Sequence, residues 1–595
     1  MTDFHKKSIQ SLLSEKRLAE AFAELRQTAQ TLQNWQLNNR LDELEESYKY
    51  MIRYVADGCN DPQREEIHNG ITAKLMELAD ITEQELTVQN SPKLYYETLR
   101  MERKYPRSLE ALLEAYRECA DKTTLFYELP ADKRDSDQER TLLMEKEKAA
   151  NAVFKHIWVT FPVTANEAGT LDKLFADADA TAEIKELAMA ATMLSLLEHY
   201  SEHLLLSLLD LYAANAFNDA SLSMKALCCA LIAMHCHRET IKHSSAISLR
   251  IANIADSERG RRDIMTVFLQ FIRSRSTERI SQKVRDELVP KLMKLSPEMR
   301  RKMRDGFSDD IEEMAKNPDW QEMLNESGIT DKMQELSRMQ AEGSDVFLSS
   351  FARLKSFPFF NDVANWFVPF TPRHSSIFRV FAGNSGSMLL SMVDRTGAFC
   401  DSDKFSFALS VATMPDQHRS MMMAQFDEQQ EQVINEMADS LPNPDKQREN
   451  IANKYVQSLY RFFNLFRSRN DFYNPFSTRL NLIDVPFVSD ALSDTKSLRL
   501  IAEFYFSMQC YTDALSTFGK VLKQDPPTAS DYQKTGYCHE QLKQYVLATA
   551  DYEKVELLKP NDVWTLKHLA LCYRAVNDTE KAIANYKRAE ALQPD

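Results

Sequence analysis

The chain has 595 residues and a formal charge of −15 at pH 7, and only 12 of its residues are glycine. Because tight turns between strands and phosphate-binding loops both consume glycine, this composition argues against a sheet-rich fold or a nucleotide loop and predicts a mostly helical protein. The negative charge disfavours nucleic acid and anionic membranes as partners.

The length exceeds that of one hydrophobic core and predicts several domains or a long repeat stack. The nine cysteines include no C-x-x-C pair, which is typical of reduced thiols in a cytoplasmic protein. The first residues, "MTDFHKKSIQSLLSEKR", contain no apolar signal core, and no stretch approaches the roughly 20 apolar residues that span a bilayer. We therefore expect a cytoplasmic protein without a membrane segment.

Residues 1–140 are predicted to form helical hairpins. The segment "KRLAEAFAELRQTAQTL" places four apolar residues along one helical face. The segment "RLDELEESYKYMIRYVADG" places four more and ends at Gly58, a helix stop. The eight residues are Leu18, Phe22, Leu25, Ala29, Leu41, Leu44, Tyr48 and Met51. The charged loop "DKRDSDQER", 132–140, separates this part from the next.

The central region, residues 141–345, contains the most apolar part of the chain, residues 182–250. Apolar residues surround its helices almost completely, which is typical of helices buried on more than one side. The break at "FNDAS", followed by "LSMKALCCALIAM", resembles a HEAT-type helix pair, and such repeats stack into solenoids.

One pattern in this region suggests metal chemistry. The stretch "HYSEH" fits H-x-x-E-H, the inverted zinc-peptidase pattern, with Glu202 as the general base. On a helix, two histidines four apart would face the same way. Inverted zinc peptidases contain a sheet and this region is helical, so ordinary surface and core histidines are the favoured interpretation. The candidate ligands are His199 and His203 with Glu239 or Glu278, or, in a structural site, His199, His203, His235 and Cys236.

Residues 250–304 are basic, with fifteen Lys and Arg against seven Asp and Glu. One interpretation is a surface for an acidic partner or structured RNA. The favoured interpretation is the solvated face of long helices that pair with acidic segments of the same chain. The cations there, including "RGRRD" and "RRKMR", are interleaved with apolar core positions and not with stacking aromatic residues.

Residues 346–440 contain an aromatic segment, "FPFFNDVANWFVPF", at 357–370. Its two prolines exclude one continuous helix, and fourteen residues cannot span a bilayer. So much exposed aromatic surface would favour aggregation, and we expect the rings to be buried as a plug between helical lobes. A partner-docking patch is the alternative. The rings expected to be buried are Phe359, Phe360, Trp366 and Phe367.

Three polar stretches are predicted to be linkers or loops: "AEGSD" (341–345), "GNSGS" (383–387) and "SLPNPDKQRE" (440–449). The stretch "GNSGS" does not have the glycine spacing of a G-x-S-x-G elbow. A nucleophilic Ser385 with His374 as its base is therefore not favoured.

After a connector, residues 441–494, the last region at 495–595 shows a repeat of 34 residues. Rows beginning at Thr495, Ala529 and Val563 have small residues in columns eight and twenty, an aromatic in column twenty-four and proline in column thirty-two. Small residues let the two helices of a hairpin approach closely, and proline ends the second helix. The columns read Ala502, Gly536, Ala570; Ala514, Ala548, Ala582; Phe518, Tyr552, Tyr586; and Pro526, Pro560, Pro594.

This pattern resembles the tetratricopeptide repeat, or TPR. The resemblance implies paired antiparallel helices in a right-handed superhelix that holds peptide segments or partner helices on its concave face. Row three departs from the pattern, because Trp564 lies two positions before the usual aromatic column and Leu566 takes that place. The hairpins of residues 1–140 resemble degenerate units of this kind, and the whole chain is similar to large uncharacterised bacterial TPR proteins.

The resemblance also implies a groove lined by columns two, five, six, nine, twelve and thirteen of the first helices. The family's clamp for a C-terminal carboxylate needs Lys, Asn, Asn, Lys and Arg at set columns, which this chain does not reproduce. Cations beside two aromatic residues instead suit an extended acidic segment with one or two apolar anchors. The alternatives are that these charges only solvate the helices, or that an acidic stretch of the same chain fills the groove. The groove residues are Arg499, Glu503, Gln533, Lys534, Tyr537, Glu540, Trp564, Lys567, His568, Leu571 and Arg574.

The last helix, "TEKAIANYKRAEALQ", is expected to cap the stack with a polar outer face. Three of its residues are expected on the face that packs against the rest of the repeat, and four on the face exposed to solvent. The stripe is Ala582, Tyr586 and Ala589, and the outer residues are Lys581, Asn585, Lys587 and Arg588.

We therefore predict an all-α, multi-lobed helical-hairpin solenoid with a C-terminal TPR superhelix. The predicted function is that of an adaptor or scaffold that binds a protein or peptide segment, with no cofactor and no catalytic site. The alternative is a helical metal-dependent hydrolase that uses the match at 199–203. The sequence does not indicate the identity of the partner or the oligomeric state.

Overall fold

The computed structural model describes residues 6–58, 62–288, 343–381, 399–419 and 443–593, together with residues 335, 338–340, 389–390 and 393. Throughout these residues the regular secondary structure is helical, and no strand occurs in them. The predicted all-α class is confirmed. None of the helices within the same residues is long and apolar enough to cross a membrane.

The helices up to residue 256 follow one another with short connections. They are α1 (Lys6–Ser14), α2 (Leu18–Leu32), α3 (Trp35–Ala56), α4 (Arg64–Thr87), α5 (Leu94–Lys104), α6 (Leu109–Glu128), α7 (Ser136–Val159), α8 (Ala165–Ala176), α9 (Ala182–Glu198), α10 (Glu202–Asn215), α11 (Ala220–Cys236), α12 (Arg238–Ile241) and α13 (Ser245–Asp256).

The last six of the remaining helices follow one another as three helical hairpins. The remaining helices are α14 (Glu258–Ser274), α15 (Thr277–Lys283), α16 (Leu348–Ala352), α17 (Asp401–Ala412), α18 (Pro444–Leu465), α19 (Val488–Ala491), α20 (Thr495–Ser507), α21 (Tyr511–Gln524), α22 (Ala529–Gln541), α23 (Tyr545–Leu558), α24 (Val563–Ala575) and α25 (Thr579–Leu592).

The chain divides into two compact units, and each combines segments that are distant in sequence. The larger unit comprises Met1–Ile254 and Thr277–Leu480. The smaller unit comprises Ala255–Ser276 and Asn481–Asp595.

The first four helices of the larger unit pack around one apolar cluster. The stripe predicted on α2 is buried, and on α3 Leu41 is buried while Leu44 and Tyr48 pack partly buried against the cluster. Helix α3 ends at Ala56, and Gly58 has a φ of +77°, the left-handed conformation that glycine adopts after a helix end. The predicted helix stop is confirmed.

The centre of the larger unit is formed by helices that are apolar on all sides. Every residue of α11 from Leu222 to His235 is buried, and α11 packs on α9, α10 and α18. Lys225 is tolerated there because its Nζ lies 2.8 Å from the buried Glu186 Oε2. Burial on more than one side, as the sequence predicts for residues 182–250, is confirmed for these helices.

The aromatic segment at 357–370 is a buried irregular stretch with two 3-10 turns, Pro358–Asn361 and Ala364–Trp366. The exposures of Phe359, Phe360, Trp366 and Phe367 are 9%, 2%, 2% and 8%, and the predicted burial is confirmed. The Trp366 Nε1–H donates to the Phe360 carbonyl at 2.9 Å, which satisfies the one polar group of the indole.

Helices from distant parts of the chain surround this segment. Ring centroids of Trp366 and Phe462 on α18 are 5.8 Å apart, and Phe367 lies 5.9 Å from Phe154 on α7. Lys355, which is buried, lies over the Phe360 ring at 4.6 Å. The segment is therefore part of the core of the larger unit.

A buried network of charges stands where the sequence predicts a linker. The Asp345 carboxylate accepts two hydrogen bonds from Arg461 on α18, at 2.8 and 3.0 Å, and Asp403 on α17 pairs with Arg461 and Lys355. Burial would raise the pKa of Asp403, but the charges of Arg461 and Lys355 outweigh it and lower this pKa. The prediction of a linker at 341–345 is thus wrong at Asp345.

The second predicted linker, 440–449, is also wrong in part, because α18 begins at Pro444. Asn443 accepts a hydrogen bond from the Asp445 N–H, and proline is well suited to the first helical position. The pair Asn-Pro is therefore a helix start here. The stretches at 383–387 and 300–304 lie outside the described residues.

The smaller unit contains three consecutive helical hairpins whose first helices begin at Thr495, Ala529 and Val563, 34 residues apart as predicted. The small residues of columns eight and twenty are buried. A Cβ atom added at Gly536 would lie 2.7 Å from the Tyr552 ring, so glycine is needed for the approach of α22 to α23. The second helices α21 and α23 each end two residues before a proline, whereas Pro594 lies outside the described residues.

Helix α14, from the basic stretch of the sequence, packs on the first of these hairpins. Phe268, fully buried, makes an edge-to-face contact with Tyr505 of α20, with ring centroids 6.2 Å apart. The Arg275 guanidinium lies 2.7 Å from the Asp513 carboxylate of α21. These contacts agree with the favoured interpretation, in which the basic stretch pairs with acidic residues of the same chain.

The last helix, α25, buries Ala582 and Ala589 and exposes Lys581, Lys587 and Arg588, as predicted. Asn585 is an exception, because it is buried and not on the water side. Its Nδ2 donates to the carbonyl of Lys581 at 2.9 Å, which gives one amide N–H a partner within the helix.

Candidate functional site: the face of the first helices

The first helices of the three hairpins, α20, α22 and α24, present one continuous surface, here called the first-helix face. Side chains of adjacent first helices contact each other along it. Lys534 Nζ on α22 lies 2.6 Å from Glu503 Oε1 on α20, and Gln533 Nε2 donates to Thr565 Oγ1 on α24 at 2.9 Å. Residues from all three repeats therefore meet on this face.

Capping residues fix the start of each first helix. Asp494, Thr528 and Asp562 accept hydrogen bonds from backbone N–H groups in the first turns. Thr528 and Asp531 form a reciprocal capping box, and Asp531 also binds the Arg499 guanidinium of the preceding repeat. The Asp531 carboxylate, which caps α22, thus also neutralises the charge of Arg499.

Three more of the predicted groove charges are paired within the stack. Lys534 pairs with Glu503, and Glu540 accepts hydrogen bonds from the Tyr552 hydroxyl at 2.9 Å and from the His568 ring at 2.8 Å. Burial, together with the charge of Glu540, raises the pKa of Tyr552, so this hydroxyl remains a hydrogen-bond donor. These charges join one repeat to the next, a role that the sequence analysis did not anticipate.

Aromatic rings form a row across the first-helix face. Tyr537 lies 5.6 Å from Phe506, 6.0 Å from Tyr511 and 6.0 Å from Trp564, measured between ring centroids. Trp564 in turn lies 3.9 Å from His568. The row is only partly covered, because Trp564 is 42% exposed and the others are half-buried.

The departure of row three from the repeat pattern explains why Trp564 is exposed on the first-helix face. Leu566 occupies the aromatic column and is fully buried. Trp564, two positions earlier, consequently lies on the first-helix face and not in the interior.

Two cations on this face remain unpaired. Lys567 and Arg574 on α24 are exposed, and neither has an ion-pair partner among the residues described here. They lie seven positions apart, about 10 Å along the helix. Leu571, half-buried, stands between them.

The sequence did not single out three residues of this face. Leu500, 48% exposed, and Phe506 occupy columns six and twelve of the first row, and these columns belong to the set that the TPR resemblance assigns to the groove. Tyr511 opens the second helix α21, and no column of that set would have found it.

The H-x-x-E-H match does not form one site. Helix α9 ends at Glu198 and α10 begins at Glu202, so the expectation that one helix carries both histidines is wrong. His199 is 5% exposed and stacks on Phe161 with centroids 4.3 Å apart, whereas His203 is exposed. Glu202 accepts a hydrogen bond from the Ser244 hydroxyl.

The other candidate ligands are also dispersed. His235 is buried in α11, Cys236 ends that helix, and Glu239 pairs with Lys242 on the surface. Burial raises the pKa of Cys236 to about 12, so its thiol is a poor ligand at neutral pH. In the part of the chain that the structure describes, no three His, Cys, Asp or Glu side chains are close enough to hold a metal ion.

Comparison with known proteins gives a partial match. A stretch of 100 residues, 16% of this chain, is 31% identical to an uncharacterized protein, ycf37, of Guillardia theta. This match spans 56%, little more than half, of the relative's own length. Searches found no matching family model and no matching solved structure.

Proposed function

We propose that this chain is a TPR-type interaction protein that binds an extended partner segment on the first-helix face. The observation that carries the proposal is the row of half-exposed rings around Tyr537, which ends at Trp564 beside two unpaired cations. Rings of this kind, exposed in one patch, are typical of sites that bury a partner's apolar side chains.

The chemistry of the face indicates the partner. Of the predicted groove cations, Arg499 and Lys534 are neutralised by Asp531 and Glu503, so the free positive charge lies at Lys567 and Arg574. A partner with acidic residues near α24 and an apolar residue against Trp564 matches this distribution.

The spacing of the two cations refines this description. A separation of about 10 Å along α24 equals about three residues of a chain in the polyproline II conformation, in which residues three positions apart lie on the same side. We propose a segment of this conformation with acidic residues about three positions apart and an apolar residue beside this pair, which would contact Trp564.

On this proposal the chain acts by binding, as an adaptor or scaffold, and not by catalysis. The cytoplasmic location and the bacterial TPR assignment stay predictions of the sequence. The matched relative is itself uncharacterized and adds no activity.

Crosslinking with an amine-reactive reagent in the native host, followed by mass spectrometry, tests the proposal. We expect partner crosslinks to concentrate at Lys567 and Lys534, which lie on the first-helix face. Lys520 and Lys587, exposed on the second helices α21 and α25, are the internal controls. Crosslinks that fall mainly on these controls would place the partner elsewhere and reject the proposed face.

A further inference from the structure

A cavity in the larger unit is distinct from the first-helix face. It opens between α6, α7, the start of α9 and residues 369–374, and its volume is about 360 Å³. This is within the range of roughly 300–1,000 Å³ that is usual for small-molecule sites. Its charged and titratable lining residues are Lys146, Glu147, Glu183, Arg373 and His374.

Both carboxylates of the cavity are already occupied. Glu147 accepts hydrogen bonds from the backbone N–H of Ser375 at 2.7 Å and from its hydroxyl at 2.5 Å. Burial raises the pKa of Glu147 to about 7, which further reduces its negative charge at neutral pH. Glu183 pairs with Lys146 at 2.5 Å. The cavity therefore offers little free negative charge.

His374 supplies a hydrogen-bond donor. The ring is 6% exposed, and its Nδ1 accepts from the backbone N–H of Ser376 at 3.2 Å, with the Ser376 hydroxyl 2.8 Å and a Glu147 carboxylate oxygen 3.6 Å away. Since a backbone N–H can only donate, this hydrogen bond favours the neutral tautomer that carries its proton on Nε2. Burial, with Lys146 as a second cause, lowers the pKa of His374 to about 4, so the ring is neutral at pH 7. Nε2–H has no partner among the described residues.

Arg373 supplies a cation at the edge of the cavity. Its guanidinium lies over the Tyr127 ring, 4.3 Å from the centroid, and this stacking holds the side chain in place. Within the described part of the chain it has no carboxylate partner. A pre-positioned and unpaired guanidinium is well suited to the oxygen atoms of a carboxylate or phosphate.

We propose that this cavity binds a small organic or inorganic oxyanion, held by the Arg373 guanidinium and the His374 Nε2–H. The two groups of the lining that have no charged partner, the Arg373 guanidinium and the His374 Nε2–H, are both donors, and they match the acceptor oxygens of an anion. Thr123, Thr124 and Thr371 line the same space and can bind further ligand oxygens through their hydroxyl groups. Carboxylates and phosphates share this chemistry, and the experiment separates them.

The test is isothermal titration of the full chain with citrate and, separately, with inorganic phosphate, against sodium chloride at matched ionic strength. We expect one of the two anions to bind, and the variant Arg373→Gln to weaken that binding about tenfold or more, since a charge-assisted hydrogen bond is lost. The control is Arg353→Gln, which removes an exposed arginine outside the cavity and should bind as the wild type does.

The unfolding midpoint without ligand checks that Arg373→Gln leaves the fold intact. If neither citrate nor phosphate binds more strongly than chloride at concentrations up to about 10 mM, well above a Kd of about 1 mM for weak binding, the proposal is overturned. Unchanged affinity in a folded Arg373→Gln variant would overturn it as well.

Discussion

Gly536 is the position at which adding a single methyl group has the clearest expected effect on the free energy of unfolding. An added Cβ would approach the Tyr552 ring to 2.7 Å, whereas the first and third repeats carry alanine in the same column. Overpacking of this kind costs about 1–3 kcal/mol, and the better helix propensity of alanine returns only about 1 kcal/mol. We predict that Gly536→Ala lowers the free energy of unfolding by up to about 2 kcal/mol. Urea denaturation measures this, and a stabilised variant would contradict the tight approach.

His156 on α7 gives stability a dependence on pH. Its ring nitrogens lie 3.4 Å from Glu102 and 3.4 Å from Glu167. Burial would lower the pKa of His156, but the hydrogen bonds to the two carboxylates outweigh it and raise this pKa to about 9. Since the pKa in the folded state is above the ordinary value of 6.5, the stabilisation is complete below pH 6.5 and is lost as pH rises through 9.

We therefore predict that about 3 kcal/mol of stability disappears between pH 6 and pH 10, and that His156→Gln removes most of this change. Urea denaturation at a series of pH values compares the two proteins. If the wild type and the variant lose stability in parallel over this range, another group is responsible.

At the scale of secondary-structure elements, the aromatic segment is a test of packing. Trp366 is 2% exposed, and its ring contacts Phe360 and Phe462. We predict that Trp366→Ala lowers the free energy of unfolding by about 3–5 kcal/mol, because it removes a large buried ring and leaves a cavity. Trp35→Ala is the matched control, since Trp35 is 68% exposed. Equal, small effects of the two changes would show that the segment is not part of the core.

The contact of α14 with α20 is a second test at this scale. Phe268 is fully buried against Tyr505. We predict that Phe268→Ala destabilises the smaller unit by about 3–5 kcal/mol and speeds amide hydrogen exchange in α20 and α21. Leu249→Ala, at a position 56% exposed on α13, should leave this exchange unchanged. Exchange in α20 and α21 that does not respond to Phe268→Ala would mean that α14 does not support the hairpins.

Sequence periodicity predicted some elements well because local residues determine them. The 34-residue period correctly located all three C-terminal hairpins, since each row carries its own capping, small and aromatic residues. The linker at 440–449 failed for a local reason too: Asn443 and Pro444 are turn formers that also start helices. The burial of Asp345 could not be predicted, because its partner Arg461 is 116 residues away.

At the scale of the whole molecule, both compact units are assembled from discontinuous segments. The sequence assigned residues 250–304 to a central region of 141–345, yet Ala255–Ser276 belongs to the unit that contains the C-terminal hairpins. Composition marked this stretch as basic and helical. Composition could not indicate which distant helix covers the apolar face of this stretch, since any apolar helix face of similar width could pack against it.

The candidate site was likewise predictable only in part. The repeat columns selected positions that lie on the first helices α20, α22 and α24, because a fixed period determines which positions share a face. The repeat columns did not reveal that Arg499 pairs with Asp531 and Lys534 with Glu503, since each of these ion pairs joins side chains of adjacent repeats. Lys567 and Arg574 are distinguished from the other cations only by the structure.

The central claim is that these two cations and the neighbouring rings bind a partner segment. The most direct measurement is calorimetric titration of the crosslinked partner segment, as a synthetic peptide, into the wild type and two double variants. The first variant is Lys567→Glu with Arg574→Glu. The control is Lys520→Glu with Lys587→Glu, which reverses two exposed charges on the second helices.

We predict that reversing the charges of Lys567 and Arg574 weakens binding about tenfold or more, and that the control binds as the wild type does. Added salt should weaken the wild-type affinity, because exposed charges are screened within about 8 Å at physiological ionic strength. A folded Lys567→Glu, Arg574→Glu protein that binds the peptide with wild-type affinity would contradict the account.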